Sequence, residues 1–213
     1  MHILARKQSL ISLNDLNVYL DFSKIKSQTQ TDLMGNNLTW YGEATFETVD
    51  NIPAVRFSDS NGGRVDLLDW TFSGGAFTKC IWFKCTGTTE QHFLNYNTNS
   101  QNFPELAIYS DGKLHIVENK HQMISDLTYN DNVWHFVVIR YNGEGNYKVY
   151  VDNIMIKNET FDMDTNSYYA MRINRWIAGA GYPTNGYLAG VKFYTRALED
   201  YEIIRLYKEY KKN

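Results

Sequence analysis

Twenty-four carboxylates and five histidines are the side chains best able to do chemistry in this 213-residue chain. Their spacing decides which chemistry is open to them. Sugar hydrolysis with retention needs two carboxyl groups about 5–5.5 Å apart, which a strand supplies from acids at alternating positions. The densest acid cluster, Glu199, Asp200 and Glu202, instead opens an amphipathic run, where compensation of a helix dipole accounts for it. His2, His92, His115, His121 and His135 form neither an HExxH run nor an i, i+4 pair, so histidine-based metal catalysis is not indicated. His115 and His135 read as strand residues on a sheet face. Cys80 and Cys85 are oddly spaced and point to opposite faces of a strand, which disfavours a disulfide between them.

Two kinds of binding chemistry remain. Hard cations take several loop oxygens, and Asp162, Asp164 and Asn166 have the i, i+2, i+4 opening of a calcium loop. The glycine expected next is Ser167 and the closing glutamate position is Ile173, so Ca²⁺ is a weakly supported cofactor and a solvated acidic loop is the competing reading. Glycan binding needs an aromatic face and a few fixed polar groups on a preformed rim. Tyr96, Tyr168, Tyr169, Tyr182 and Asn185 lie near turn-rich stretches and are the ligand-binding candidates. Trp82 and Trp134 sit inside apolar strand patterns and read as structural.

The elements that must position these groups are strands. In Leu16-Asn-Val-Tyr-Leu-Asp-Phe22 the even positions are apolar, the period of a half-buried strand. Similar runs follow near 44–49, 53–58, 63–68, 76–86, 91–97, 104–110, 113–118, 132–141, 146–152, 171–178 and 187–194. Turn chemistry separates them: Asp111-Gly112 suits the positive φ of a type I′ hairpin turn, and Asn61-Gly62-Gly63, Asn142-Gly143 and Asp152-Asn153 do similar work. Residues 198–211 break the rhythm, with Ile203, Leu206, Tyr207 and Tyr210 on one helical face. The pattern predicts an all-β domain over 15–213, with antiparallel sheets packed as a sandwich or a barrel, that ends in a short helix. An arm of 14 residues precedes it, and its Leu4, Leu10, Ile11 and Leu13 are candidates for anchoring or assembly.

Composition bounds the partners. Acids and bases nearly balance at a net charge of −3, which argues against nucleic acid, and no apolar run approaches the roughly 20 residues of a membrane span. The amino terminus has the wrong order of charge and apolar residues for a signal peptide, so synthesis in the cytoplasm without that export route is expected.

Four stretches together resemble the laminin G-like, concanavalin A-like lectin-glucanase jelly-roll superfamily. They are Leu16–Phe22 with Asp32-Leu-Met-Gly-Asn-Asn-Leu38, Ala76–Lys84, Asn132–Arg140 with Tyr147–Asp152, and Asn185–Leu198 running into the helix. Two departures stand out: Ala189-Gly190 replaces the family's usual Asp-Glu, and Glu199 replaces the Ser that caps the helix. The first puts any inherited calcium site in doubt. The Glu-x-Asp-x-x-Glu run of glycan-cleaving relatives is missing, and Lys113-Leu-His115 and Gln91-His92 lack the arginine pattern of lyase-type strands. The resemblance implies an all-β, two-sheet antiparallel β-sandwich of jelly-roll type with a short C-terminal helix, and a non-catalytic module that recognises a glycan or a protein surface, with a glycoside hydrolase or polysaccharide lyase as the minority alternative. The missing signal and the arm further suggest a phage or virion accessory protein, contacting other virion subunits or its own copies through the arm, against a free lectin-like protein.

Overall fold

The computed structural model describes residues 15–57, 63–98, 105–118, 120–161, 168–175 and 181–211. They form two antiparallel sheets and one helix. Strands β1 (Leu16–Asp21), β2 (Thr39–Tyr41), β3 (Ala44–Val49), β4 (Ile52–Phe57), β5 (Arg64–Phe72), β6 (Phe77–Thr86), β7 (Gln91–Thr98) and β8 (Glu105–Ile108) come first. Strands β9 (Lys113–Glu118), β10 (His121–Thr128), β11 (Asp131–Tyr141), β12 (Asn146–Val151), β13 (Ile154–Thr160), β14 (Tyr168–Ile173) and β15 (Gly186–Tyr194) follow, then helix α1 (Asp200–Tyr210). The eight-stranded sheet runs β13-β12-β11-β6-β15-β4-β3, with β1 also paired to β15. The seven-stranded sheet runs β10-β9-β8-β7-β14-β5-β2.

Alternation accounts for the core. Ile81 and Phe83 of β6, Val137 and Ile139 of β11, and Val191 and Phe193 of β15 face Leu94 and Tyr96 of β7, Leu114 and Ile116 of β9, and Met171 and Ile173 of β14 in one apolar cluster. The other face of the eight-stranded sheet is covered as well. Cys80, Trp82, Phe136 and Val138 pack against Ile203 and Leu206 of α1, which explains why every residue of β6 except Thr86 is buried. Trp82 stacks on Tyr210, with ring centroids 5.4 Å apart and planes 14° apart.

The helix explains both departures noted in the sequence. A register shift in β15 between Leu188 and Gly190 leaves Ala189 and Gly190 beneath α1, and a Cβ on Gly190 would collide with the Tyr210 hydroxyl. Carboxylates there would lie buried under the helix without partners. The capping role passes to Glu202, whose Oε2 accepts the Glu199 N–H at 2.8 Å while Arg196 grips both its oxygens at 2.7 Å.

One ion pair interrupts the apolar interior. Lys79 of β6 points between the sheets and meets Glu118 of β9 at 2.5 Å, with the side chains 2% and 1% exposed. Tyr168 Oη donates to the other Glu118 oxygen at 2.7 Å, and the Lys79 ammonium lies 4.2 Å from the centre of the Tyr96 ring. Burial pushes the Lys79 pKa down, and the Glu118 carboxylate opposes that shift.

The strand pattern needs several corrections. β2, β10 and β13 were absent from it. β14 starts at Tyr168, not at 171. Asp111-Gly112 does not make a type I′ turn: Gly112 has φ +75° while Asp111 is not in the left-handed region, and the Gly112 N–H closes on Tyr109 O at 2.9 Å. Asp152-Asn153 and Asp50-Asn51 both have positive φ at both positions, as a two-residue I′ hairpin requires. The arm candidates Leu4, Leu10, Ile11 and Leu13 lie outside the described residues.

Candidate functional site

At one end of the sandwich, the β3–β4 hairpin, the β6–β7 turn and the segment leading into β15 enclose an open groove of about 1060 Å³. Its walls carry Glu43, Thr45, Glu47, Arg56 and Phe57 from the hairpin, Thr89 and Glu90 from the turn, and Tyr182, Pro183, Thr184 and Asn185. That volume stands at the upper end of the roughly 300–1,000 Å³ typical of ligand sites. Thr45 pairs across the strands with Arg56 and Glu47 with Ala54, so Glu47, Thr45 and Arg56 project from one face of the hairpin.

The Tyr182 segment is fixed from beneath by backbone and amide contacts. The His92 N–H donates to Tyr182 O at 3.0 Å, Asn174 Oδ1 accepts the Thr184 N–H at 3.1 Å, and Gln91 Oε1 accepts the Asn185 N–H at 2.7 Å. Gln91, Asn174 and Thr184 are all buried, so these bonds are shielded from competing water. They hold Tyr182 at φ +62°, a left-handed conformation that costs a non-glycine residue about 1–3 kcal/mol. The residue stays 43% exposed, an aromatic plane on a rigid rim.

Behind Tyr182 stands a titratable pair of contacts. The His92 ring lies 5.4 Å from the Tyr182 ring, with Nε2 2.6 Å from Glu90 Oε1 and Nδ1 3.3 Å from Glu105 Oε2. Burial disfavours the imidazolium, but the carboxylates of Glu105 and Glu90 outweigh it, so the His92 pKa is raised. Glu105 also accepts the Tyr109 hydroxyl at 2.7 Å. On the same outer face of the seven-stranded sheet, Asp66 is gripped by Arg172 at 2.8 Å through both oxygens. His115 stacks on Tyr109 with centroids 3.9 Å apart, and His135 sits between Asp152 at 2.8 Å and Asp131 at 3.0 Å. These carboxylates hold neighbouring side chains in place.

The five ligand candidates separate in space. Tyr182 and Asn185 come together in the groove. Tyr169 is 42% exposed on β14 and is not among the groove residues. Tyr96 and Tyr168 are corrected to core residues, 1% and 2% exposed. Both follow the inward phase of their strands and pack on each other with centroids 5.2 Å apart. The cation candidates Asp162, Asp164 and Asn166 lie outside the described residues. Among the described residues no group of three or more His, Cys, Asp or Glu side chains could hold a metal ion. Glu43, Glu47 and Arg56 were not anticipated. They lie some 130 residues from Tyr182 in sequence, and only the pairing of β4 with β15 brings the hairpin to the rim.

A family model for laminin G-type domains, described as the concanavalin A-like lectin/glucanases superfamily, matches residues 59–204. The chain belongs to this superfamily. No curated protein sequence matches this concanavalin A-like chain. Among solved structures, the binding domain of Paraclostridial Mosquitocidal Protein 1 superposes with a TM-score of 0.72 at 15% identity, covering 92% of this chain and 52% of that one. The binding domain of botulinum neurotoxin DC in complex with SialylT gives 0.69 at 15% identity, with coverage of 93% and 52%. The same neurotoxin domain in complex with rat synaptotagmin II gives 0.64 at 13% identity, with coverage of 92% and 52%. At these identities the likeness shows a shared sandwich, and the chain spans about half the length of the matched domains.

Proposed function

We propose that this concanavalin A-like domain is a non-catalytic, lectin-like recognition module that holds a glycan in the groove between the β3–β4 hairpin and Tyr182–Asn185. The observation that carries the reading is Tyr182: its ring stays exposed while its backbone is locked in a costly conformation at the mouth of a groove. An aromatic face stacks on sugar C–H groups, while Asn185, Thr45 and Thr89 line the same space with hydroxyl and amide groups for sugar hydroxyls. Two of the solved structures of like fold are binding domains captured with SialylT and with rat synaptotagmin II, which supports a recognition role for this sandwich.

The test is a glycan array followed by calorimetry on Tyr182→Ala. Loss of the stacking face is expected to weaken binding at least tenfold, a change of about 1.4 kcal/mol. The far-ultraviolet circular dichroism should not change. Undiminished affinity in this variant would remove the groove from consideration.

A further inference from the structure

His92 stands at the root of the groove with a carboxylate at each ring nitrogen. Its Nε2 lies 2.6 Å from Oε1 of Glu90, which is part of the groove wall. Its Nδ1 lies 3.3 Å from Oε2 of the buried Glu105, whose other oxygen accepts the Tyr109 hydroxyl at 2.7 Å. The Tyr182 and Tyr109 rings flank the imidazole, with centroids 5.4 and 6.3 Å away. Among the described residues the charged groups facing it are therefore Glu90 from the β6–β7 turn and Glu105 from β8, and both favour the imidazolium. The same short segment carries the rim: Gln91 Oε1 accepts the Asn185 N–H and the His92 N–H donates to Tyr182 O.

We infer that ligand binding in the groove is gated by a proton on His92, tight while the ring bridges Glu90 and Glu105 and weaker once it is neutral. This inference rests on the glycan reading above. An imidazolium donates from both nitrogens, whereas a neutral imidazole has one donor and one acceptor. A neutral ring therefore turns a lone pair towards one of the two carboxylates, and at these distances that contact is repulsive. If Glu90 is the one released, the groove wall loses its tie to the floor. If Glu105 is the one opposed, the ring is driven from its place beside Tyr182. Either way the ligand must order the rim again, which costs affinity. By linkage, a ligand that prefers the protonated state also draws a proton onto His92.

The probe is an array of neutral oligosaccharides, which do not themselves titrate, read at roughly pH 5.5 and 8.5 to bracket a histidine. Signals that Tyr182→Ala abolishes should be about fivefold stronger at the lower pH. Calorimetry on the strongest of these sugars, at about pH 7 in buffers of different ionisation enthalpy, should show net proton uptake on binding. Glu90→Gln leaves the buried ring in place and lets the new amide donate to a neutral Nε2. Its signal, whatever the strength, should be the same at both pH values. His92→Gln should bind at one weaker level throughout and without proton uptake. Tyr182-dependent binding that ignores pH or takes up no proton would overturn the gate and leave the glycan groove standing. A pH response that persists in either variant would do the same. Binding of no sugar at either pH, or binding indifferent to Tyr182→Ala, would overturn the gate together with the glycan reading.

Discussion

Single side chains set the pH response of this sandwich. His92 is buried, yet its pKa is raised because Glu105 and Glu90 outweigh the burial, and His135 is raised in the same way between Asp152 and Asp131. A folded-state pKa above the unfolded value of about 6.5 means the native state holds the proton more tightly. The resulting stabilisation is complete below about pH 6.5 and is lost as the pH rises through the raised folded values. The thermal midpoint should therefore fall as the pH rises above about 6.5. His92→Gln should reduce the slope, and His92→Gln/His135→Gln should flatten it. A slope that persists in the double variant would rule out this origin. Because the His92 ring also packs beside the Tyr182 ring and meets Glu90 of the groove wall, its single variant should weaken ligand binding as well.

The contact between α1 and β15 belongs to the scale of elements. Gly190 is the point of closest approach, with Tyr210 above it and Leu20 O 3.0 Å from where a Cβ would stand. Gly190→Ala should cost about 1–3 kcal/mol through overpacking. Removing the colliding hydroxyl in Gly190→Ala/Tyr210→Phe should restore part of that loss, as read by urea denaturation. A double variant no more stable than Gly190→Ala would place the clash elsewhere. How much the sequence revealed also varies by element. β1, β6, β11, β12 and β15 were legible because their buried positions alternate or run on without a break. β10 was not, since only Met123 and Ser125 of its eight residues are buried. β13 was not either, because none of its residues is buried. An edge strand with both faces near water leaves no period to read. Tyr96 and Tyr168 were misplaced because flanking asparagines and a second tyrosine suggested turns, while the strand phase that buries them depends on neighbours far away in sequence. Tyr182 and Asn185 could be found from turn chemistry. The hairpin charges opposite them could not, since no local signal links residues 43–56 to 182–185.

Across the whole molecule, Lys79 and Glu118 tie the two sheets together through the core. A buried pair of this kind is costly to desolvate, and breaking it by removing one partner leaves an uncompensated charge worth about 3–5 kcal/mol. Lys79→Met should destabilise the domain by that order. Lys79→Met/Glu118→Gln, which keeps an acceptor for the Tyr168 hydroxyl, should recover most of the loss. Failure to recover would mean that the ammonium contributes more through the Phe77, Tyr96 and Tyr168 rings than through the carboxylate. The two thiols report on the integrity of the same architecture. Cys80 lies in the layer under α1 and Cys85 in the layer between the sheets, and burial pushes each thiol pKa up to about 12. Neither thiol reacts until its own layer parts. A maleimide added to the native protein therefore acts as a stopwatch with two hands: modification of Cys80 times the lifting of the helix, and modification of Cys85 times the separation of the sheets.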